Sequence, residues 1–390
     1  MNAGEGKNCD SQAAAGNRKI AGLYIHIPFC RTKCPYCSFY SETNLSLLPD
    51  FLEALFREME MNRHLFHPLD TVYVGGGTPS VLTPHQIQTL LERIRHHFQL
   101  TPDAEITLEA NPADLSQSHL KLLRRSGVHR LHLGVQSFNP ETLCFLGRRH
   151  TPAQAASAIL MAREAGFDHL GIDLIYGIPR QGMESWLDTL GQALDLAPEH
   201  ISCYQLTVEA NTPFAIREKR GEFTLPAEDL QCDFFMRTSV LLESAGYVHY
   251  EVSNFARGME YASRHNQKYW HHTPYLGLGP SAHSFKGNRR WWNHRSLGRY
   301  LADLKTGKAP VESGETLDRE QLGLETFFLA LRTQSGLHLK NFSEEFQHDL
   351  LAEKGAILTR LLEEGYVVIH DGMLKPTRSG LAVADRLALI

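Results

Sequence analysis

Residues 23–39 read LYIHIPFCRTKCPYCSF. Leu23 to Ile27 is a short β-rich run, and Pro28, which has no backbone donor to offer a ladder, ends it. Cys30, Cys34 and Cys37 follow at once in a CxxxCxxC spacing. A strand that hands the chain straight to three thiols places chemistry at its carboxyl end. Three thiolates within eight residues can wrap one inorganic centre from a single loop. A tetrahedral structural zinc takes a fourth ligand, usually from a second knuckle, and neither Ser38 nor Phe39 offers one. An iron–sulfur cubane has four irons, so three cysteines leave one iron open to a small ligand that chelates through an amine and a carboxylate.

The same strand-then-loop order recurs downstream. TVYVGG (71–76), EITLEA (105–110), HRLHLGV (129–135), HLGIDLIYG (169–177) and HISCYQLTV (200–208) are short β-rich runs. Segments with helical spacing follow the strands, at 50–64, 84–98, 116–126, 152–165, 183–196 and 227–244. Six strands alternating with helices predict an α/β fold with a parallel sheet, open or curled into a partial barrel. From Tyr250 to Tyr300 the alternation gives way to a stretch dense in aromatic residues and histidines, read as loop-rich. Residues 318–390 read as helices at 319–331, 344–353 and 355–364 followed by a hairpin, YVVIHDGMLKPT, with Asp371-Gly372 as a two-residue turn. Helices followed by such a wing resemble a winged-helix α+β domain. The expected division is therefore a disordered tail over 1–19, a barrel over 20–255, an aromatic and His-rich connection over 256–317 and the winged-helix-like domain over 318–390.

The 390 residues are 42% hydrophobic and 21% charged, with a formal net charge of −5. These are ordinary values for a globular chain and argue against nucleic acid or an anionic membrane as partner. No apolar run approaches the ~18 residues of a spanning helix, and residues 1–19 lack the apolar core of a secretory signal, so a cytoplasmic location is expected. Seven cysteines, three of them crowded into residues 30–37, favour metal or redox chemistry over a disulfide framework. Cys9 in the polar tail reads as a free thiol, and Cys144, Cys203 and Cys232 as isolated packing residues.

Other candidate residues gather at strand ends. Val74-Gly75-Gly76-Gly77-Thr78-Pro79 closes the second strand, where glycines let backbone groups approach a ligand. Glu109, Gln136 and Asp173 end the third, fourth and fifth strands. Any one of them alone fits a helix cap equally well, but three at successive strand ends suggest a common site. Asp173 between Ile172 and Leu174 is costly to bury without a donor or cation.

The motif YIHIPFCRTKCPYCSF and the later motifs, in this order, resemble the radical S-adenosylmethionine (SAM) superfamily and, within it, the coproporphyrinogen III dehydrogenase-like group. The resemblance covers Tyr24 to the carboxyl terminus. It implies a partial (βα)6 barrel, a [4Fe-4S] cluster on Cys30, Cys34 and Cys37, and SAM on the open iron. It also implies SAM contacts from Gly76, Gly77, Thr78, Glu109, Gln136, Arg148 and Asp173, with Tyr24 and Tyr36 beside them; Arg149 is a rival for Arg148. The chemistry implied is reductive cleavage of SAM to a 5′-deoxyadenosyl radical, which requires a one-electron donor protein. The dehydrogenases carry a fourth cysteine in a CxxxCxxCxC pattern and a longer amino-terminal arm, whereas this chain has Phe39 in that place. The CxxxCxxCxF form and His265-Asn266-Gln267-Lys268-Tyr269-Trp270 are similar to the HemW subgroup, whose HNxxYW motif they match. That resemblance implies a heme chaperone passing heme to an acceptor apoprotein, with His265 as a heme ligand and homodimerisation left open. His271, His272, His283 and His294, near Trp291 and Trp292, are further candidate ligands. The alternative is an oxygen-independent coproporphyrinogen III dehydrogenase.

Overall fold

The computed structural model describes residues 19–387, so Cys9 and the tail reading up to residue 18 lie outside the described residues. Strands β1 (Ala21–Ile27), β2 (Leu69–Gly76), β3 (Leu100–Ala110), β4 (Arg130–Gln136), β5 (His169–Tyr176) and β6 (His200–Gln205) are parallel neighbours in chain order. Between them run α1 (Leu48–Asn62), α2 (Pro84–His97), α3 (Gln117–Arg125), α4 (Pro140–Phe145), α5 (Pro152–Glu164) and α6 (Met183–Asp195). Beyond β6 come α7 (Pro213–Lys219) and α8 (Glu228–Ser244). Thr83 and Thr151 close capping boxes with Gln86 and Gln154, and Pro84 and Pro152 open α2 and α5 where their missing donors cost nothing.

The strand period of two sorts each strand into an apolar and a polar face. Leu108, Leu131, Leu133, Ile172, Leu174 and Ile201 are fully buried in the core shared with the helices. The alternating residues carry the polar groups, and register sets Glu109 beside His132, Gly134 beside Asp173 and Asp173 beside Ser202. Gly171 makes room for this layer, because a Cβ there would stand 2.2 Å from His132 Nδ1.

The stretch read as loop-rich is not a loop. It supplies β7 (Val248–Glu251) and β8 (Asn254–Ala256) on the β6 edge, and β9 (Tyr275–Leu278), β10 (His283–Lys286) and β11 (Arg289–Asn293) on the β1 edge. With β12 (Val311–Thr316) these complete a 12-stranded sheet. Helix α9 (Arg264–Trp270) lies against β1 and β2, and α10 (Leu297–Lys305) packs on α1. A single carboxylate ties this extension down. Glu58 on α1 accepts from Gly279 N at 2.8 Å, Asn293 Nδ2 at 2.5 Å and Tyr300 OH at 2.6 Å.

Burial outweighs those three donors and pushes the Glu58 carboxyl up to about 7. An acid whose folded pKa exceeds its unfolded value, near 4.3, holds its proton better when folded. Its stabilising contribution is therefore full below about pH 4 and is lost as pH rises to about 7. Denaturant titrations should find the wild type less stable at about pH 8 than at about pH 5.5, with that difference smaller by about 1–2 kcal/mol in Glu58→Gln. An unchanged pH difference in the variant would remove Glu58 from the account.

The carboxyl-terminal region has its own core around Phe327, Leu331, Phe342, Phe346, Leu358 and Leu374. It comprises α11 (Arg319–Ala330), β13 (Leu337–His338), α12 (Leu339–Phe346), α13 (Leu350–Glu363), β14 (Val367–His370), β15 (Met373–Pro376) and α14 (Arg378–Ala382), with an antiparallel sheet in the order β13-β15-β14. The hairpin turn is where the sequence puts it, and Asp371 and Gly372 both take positive φ, 50° and 75°, as a type I′ turn demands. The helix boundaries differ from expectation. Gln347, at φ 59°, ends α12, Asp349 caps α13 through Leu351 N and Ala352 N, and Gly355 lies inside α13 and does not break it.

Candidate functional site

The carboxyl ends of β1 to β6 open into a cleft of about 500 Å³. The cysteine loop forms one wall, with Cys30, Cys34, Tyr36, Cys37 and Phe39 all lining it. The three thiols are half-buried and free. Cys30 Sγ lies 3.3 Å from Thr78 Oγ1, and burial pushes the Cys30 and Cys37 thiols up. The loop is pinned from outside by Asp114, whose Oδ1 meets Arg31 Nε at 3.3 Å and Arg149 Nη2 at 2.7 Å. Gly77 N and Thr78 N donate to Ile27 O and Phe29 O, so the glycine turn is sewn to the strand that launches the cysteines. A side chain on Gly77 would collide with those same carbonyls, and Gly76 at φ 106° would drive a Cβ to 2.5 Å from His26 Nδ1.

The floor is the polar face of the barrel. Glu109 accepts from Tyr73 OH at 2.7 Å and Gly76 N at 3.3 Å, and burial still pushes its carboxyl up to about 7. Asp173 pairs with His132 Nε2 at 2.6 Å. Gln136 adopts φ 68°, rare outside glycine, at a register shift between β4 and β5. Such a bulge re-aims a side chain, and here it brings Gln136 into the cleft with Oε1 buried and unpartnered. The two adjacent arginines divide their work. Arg148 reaches inward, donating to Gly134 O at 2.6 Å and to Cys34 Sγ at 3.3 Å, whereas Arg149 is held by Asp114.

This donor set fits the groups the motifs imply. The thiols are sulfur ligands of the kind an iron–sulfur cluster takes. Among the described residues, no group of three or more His, Cys, Asp or Glu side chains is placed to hold a single metal ion. Glu109, Asp173 and the unpartnered Gln136 Oε1 face the same space as Arg148, an arrangement that can receive a zwitterionic ligand with hydroxyl and amino groups.

Of the expected residues, the structure gathers Cys30, Cys34, Tyr36, Cys37, Gly76, Gly77, Thr78, Glu109, Gln136, Arg148 and Asp173 around one cleft. Tyr24 stands apart from its lining. Its hydroxyl meets His26 Nδ1 at 3.1 Å and its ring stacks on His265 at 6.4 Å. His265 also stands outside that lining. It is 1% exposed, with Nδ1 2.8 Å from Thr71 Oγ1, Nε2 2.9 Å from Tyr269 OH and the ring stacked on Tyr73. Burial pulls its pKa down to about 3, so the ring is neutral, and both nitrogens are spent on protein partners. Heme ligation by His265 would require one of these two hydroxyl contacts to give way. His272 is held by Glu325 and Thr326, and His294 by Asp303.

Sequence reasoning missed Tyr73, His132 and the segment Tyr204 to Thr207, all of which line this cleft or brace its carboxylates. The signal was available in the alternation Arg130, His132, Gly134, Gln136, a polar face on a strand otherwise made of Leu and Val.

Comparison with known proteins agrees with this fold. Residues 24–193 match the radical SAM superfamily and residues 317–383 the HemN C-terminal domain. The chain is 37% identical over 371 residues to the heme chaperone HemW of Mycobacterium tuberculosis, covering 93% of each chain. It is 33% identical over 373 residues to that of Bacillus subtilis, covering 94% of this chain and 98% of the relative. Among solved structures, coproporphyrinogen III oxidase (HemN) from Escherichia coli, a radical SAM enzyme, superposes with a TM-score of 0.84 at 26% identity, covering 95% of this chain and 90% of that one.

Proposed function

The chain belongs to the heme chaperone HemW family within the radical SAM superfamily, and from that premise we propose that it binds heme and hands it to an acceptor apoprotein. The observation that carries this reading is likeness along nearly the whole length to proteins of that name, joined to Cys37-Ser38-Phe39, where the dehydrogenase pattern has a fourth cysteine. Phe39 is 66% exposed at the cleft mouth, where no thiol replaces it.

In this reading Cys30, Cys34 and Cys37 hold a [4Fe-4S] cluster. When bound, the cluster and SAM supply one-electron reductive cleavage of a sulfur–carbon bond, given a donor protein for the electron. The backbone of Gly76 and Gly77 with Thr78 receives the amino group of SAM, Arg148 offsets its carboxylate, and Glu109, Gln136 and Asp173 accept from its donors. Tyr73 and His132 hold the two carboxylates in place through the hydrogen bonds described above. No helix among the described residues is long and apolar enough to cross a membrane, and we place the protein in the cytoplasm.

The test is a paired assay on cluster-reconstituted full-length protein. Hemin titration should give a saturable Soret band, and coproporphyrinogen III should survive incubation with SAM and reductant. Consumption of coproporphyrinogen that requires both would replace the chaperone reading with the dehydrogenase one.

A further inference from the structure

A second cleft, of about 430 Å³, lies where the barrel meets the carboxyl-terminal region. Tyr250, Met259, Trp270 and His271 line it from the barrel side, and Val368 and Lys375 from the small sheet. Its walls are fixed to each other, because Val252 N donates to Arg332 O and Gln334 N to Tyr250 O, both at 3.0 Å. The volume falls within the roughly 300–1,000 Å³ of small-molecule sites.

The chemistry of the lining is selective. It contains no Asp or Glu; it pairs an indole face with one ammonium group, Lys375, and the neutral polar side chains of Gln267, Thr333, Gln334 and Ser335 complete one side. Trp270 Nε1 is buried without a partner, and the Arg332 guanidinium sits 5.5 Å from the Trp270 ring centroid. Val368 and Met259 leave apolar surface open, at 46% and 53% exposure. The ring nitrogens of His271 make no hydrogen bond among the described residues, although its backbone oxygen accepts from Lys19 Nζ. Desolvation, and second the charge of Lys19, lower the His271 pKa, which favours the neutral imidazole that binds metals. A ligand suited to this cleft is flat, apolar in the middle, anionic at its edge and open to an axial nitrogen.

We propose that this cleft is the heme site, with His271 as the protein ligand to iron, the macrocycle against Trp270 and Val368, and the propionates toward Lys375. The placement rests on the heme-chaperone reading and names the site that reading leaves unassigned. Ligation would form one iron–nitrogen bond with no change of redox state.

The test is hemin titration of the full-length protein and of His271→Ala, Lys375→Glu and Cys30→Ala. His271→Ala should bind hemin at least about tenfold more weakly and lose the low-spin spectrum, with free imidazole restoring it. Lys375→Glu should weaken binding without changing the spectrum. His271 is exposed and unbonded through its ring, so its loss should leave the melting temperature unchanged. Wild-type-like titrations of both His271→Ala and Lys375→Glu would overturn the placement while leaving the chaperone reading intact. Loss of binding in Cys30→Ala alone would move heme to the cluster cleft. Absence of a saturable band in the wild type would overturn both.

Discussion

Cys34→Ala, purified without air, should lose iron and sulfide by at least about tenfold while keeping its secondary structure. Even substitutions one layer out from a metal centre typically cost 10–100-fold in affinity, and this one removes a direct ligand. Only two thiolates would remain for a cubane that the chain can grip at three corners. Cys34 is half-buried in a loop held independently by Asp114 and by the Gly77 and Thr78 amides, so the barrel should survive its loss. Colorimetric iron and sulfide assays with circular dichroism read both halves of the expectation. Wild-type iron in Cys30→Ala, Cys34→Ala and Cys37→Ala alike would mean that this loop does not hold the cluster.

Arg148→Ala should weaken SAM binding by about 10–100-fold, about 1.4–2.7 kcal/mol. Its guanidinium is the cation that reaches into the cleft beside Cys34, and truncation also strands the Gly134 carbonyl. Removing one partner of an enclosed charged hydrogen bond usually costs this much or more. Arg149→Ala, which releases a residue already engaged by Asp114, should cost far less. Equilibrium binding of SAM to the reconstituted variants distinguishes them, and equal losses would show that the loop pin, not the inward charge, governs the nucleotide.

The barrel was legible because its six strands are β-rich, regularly spaced and followed by helices with capping residues, all local signals. The cysteine spacing and the glycine turn were legible for the same reason. The edge strands were not. Residues β7 to β12 span three to six positions each, and β12, VESGET, is exposed throughout, so it lacks the apolar alternation that marks a strand. Its pairing comes from β11 across the sheet edge, a tertiary cause. The helix boundary expected between 353 and 355 falls inside α13, whereas the stop lies at Gln347 and the start at Asp349. The burial of His265 was hidden for a related reason. The motif announces an imidazole, but its burial is set by Thr71, separated from it by 194 positions, and by Tyr73.

Helix α9 has one foot in each compartment. Through His265 it touches Tyr73, which holds Glu109 at the cysteine-lined cleft, and through Gln267 and Trp270, with His271 as its C-cap, it lines the second cavity. The helix is seven residues long, so these contacts lie within about two turns of one another. Thermodynamic reciprocity then sets a rule for the loaded protein: whatever factor hemin imposes on the dissociation constant of SAM, SAM must impose on that of hemin.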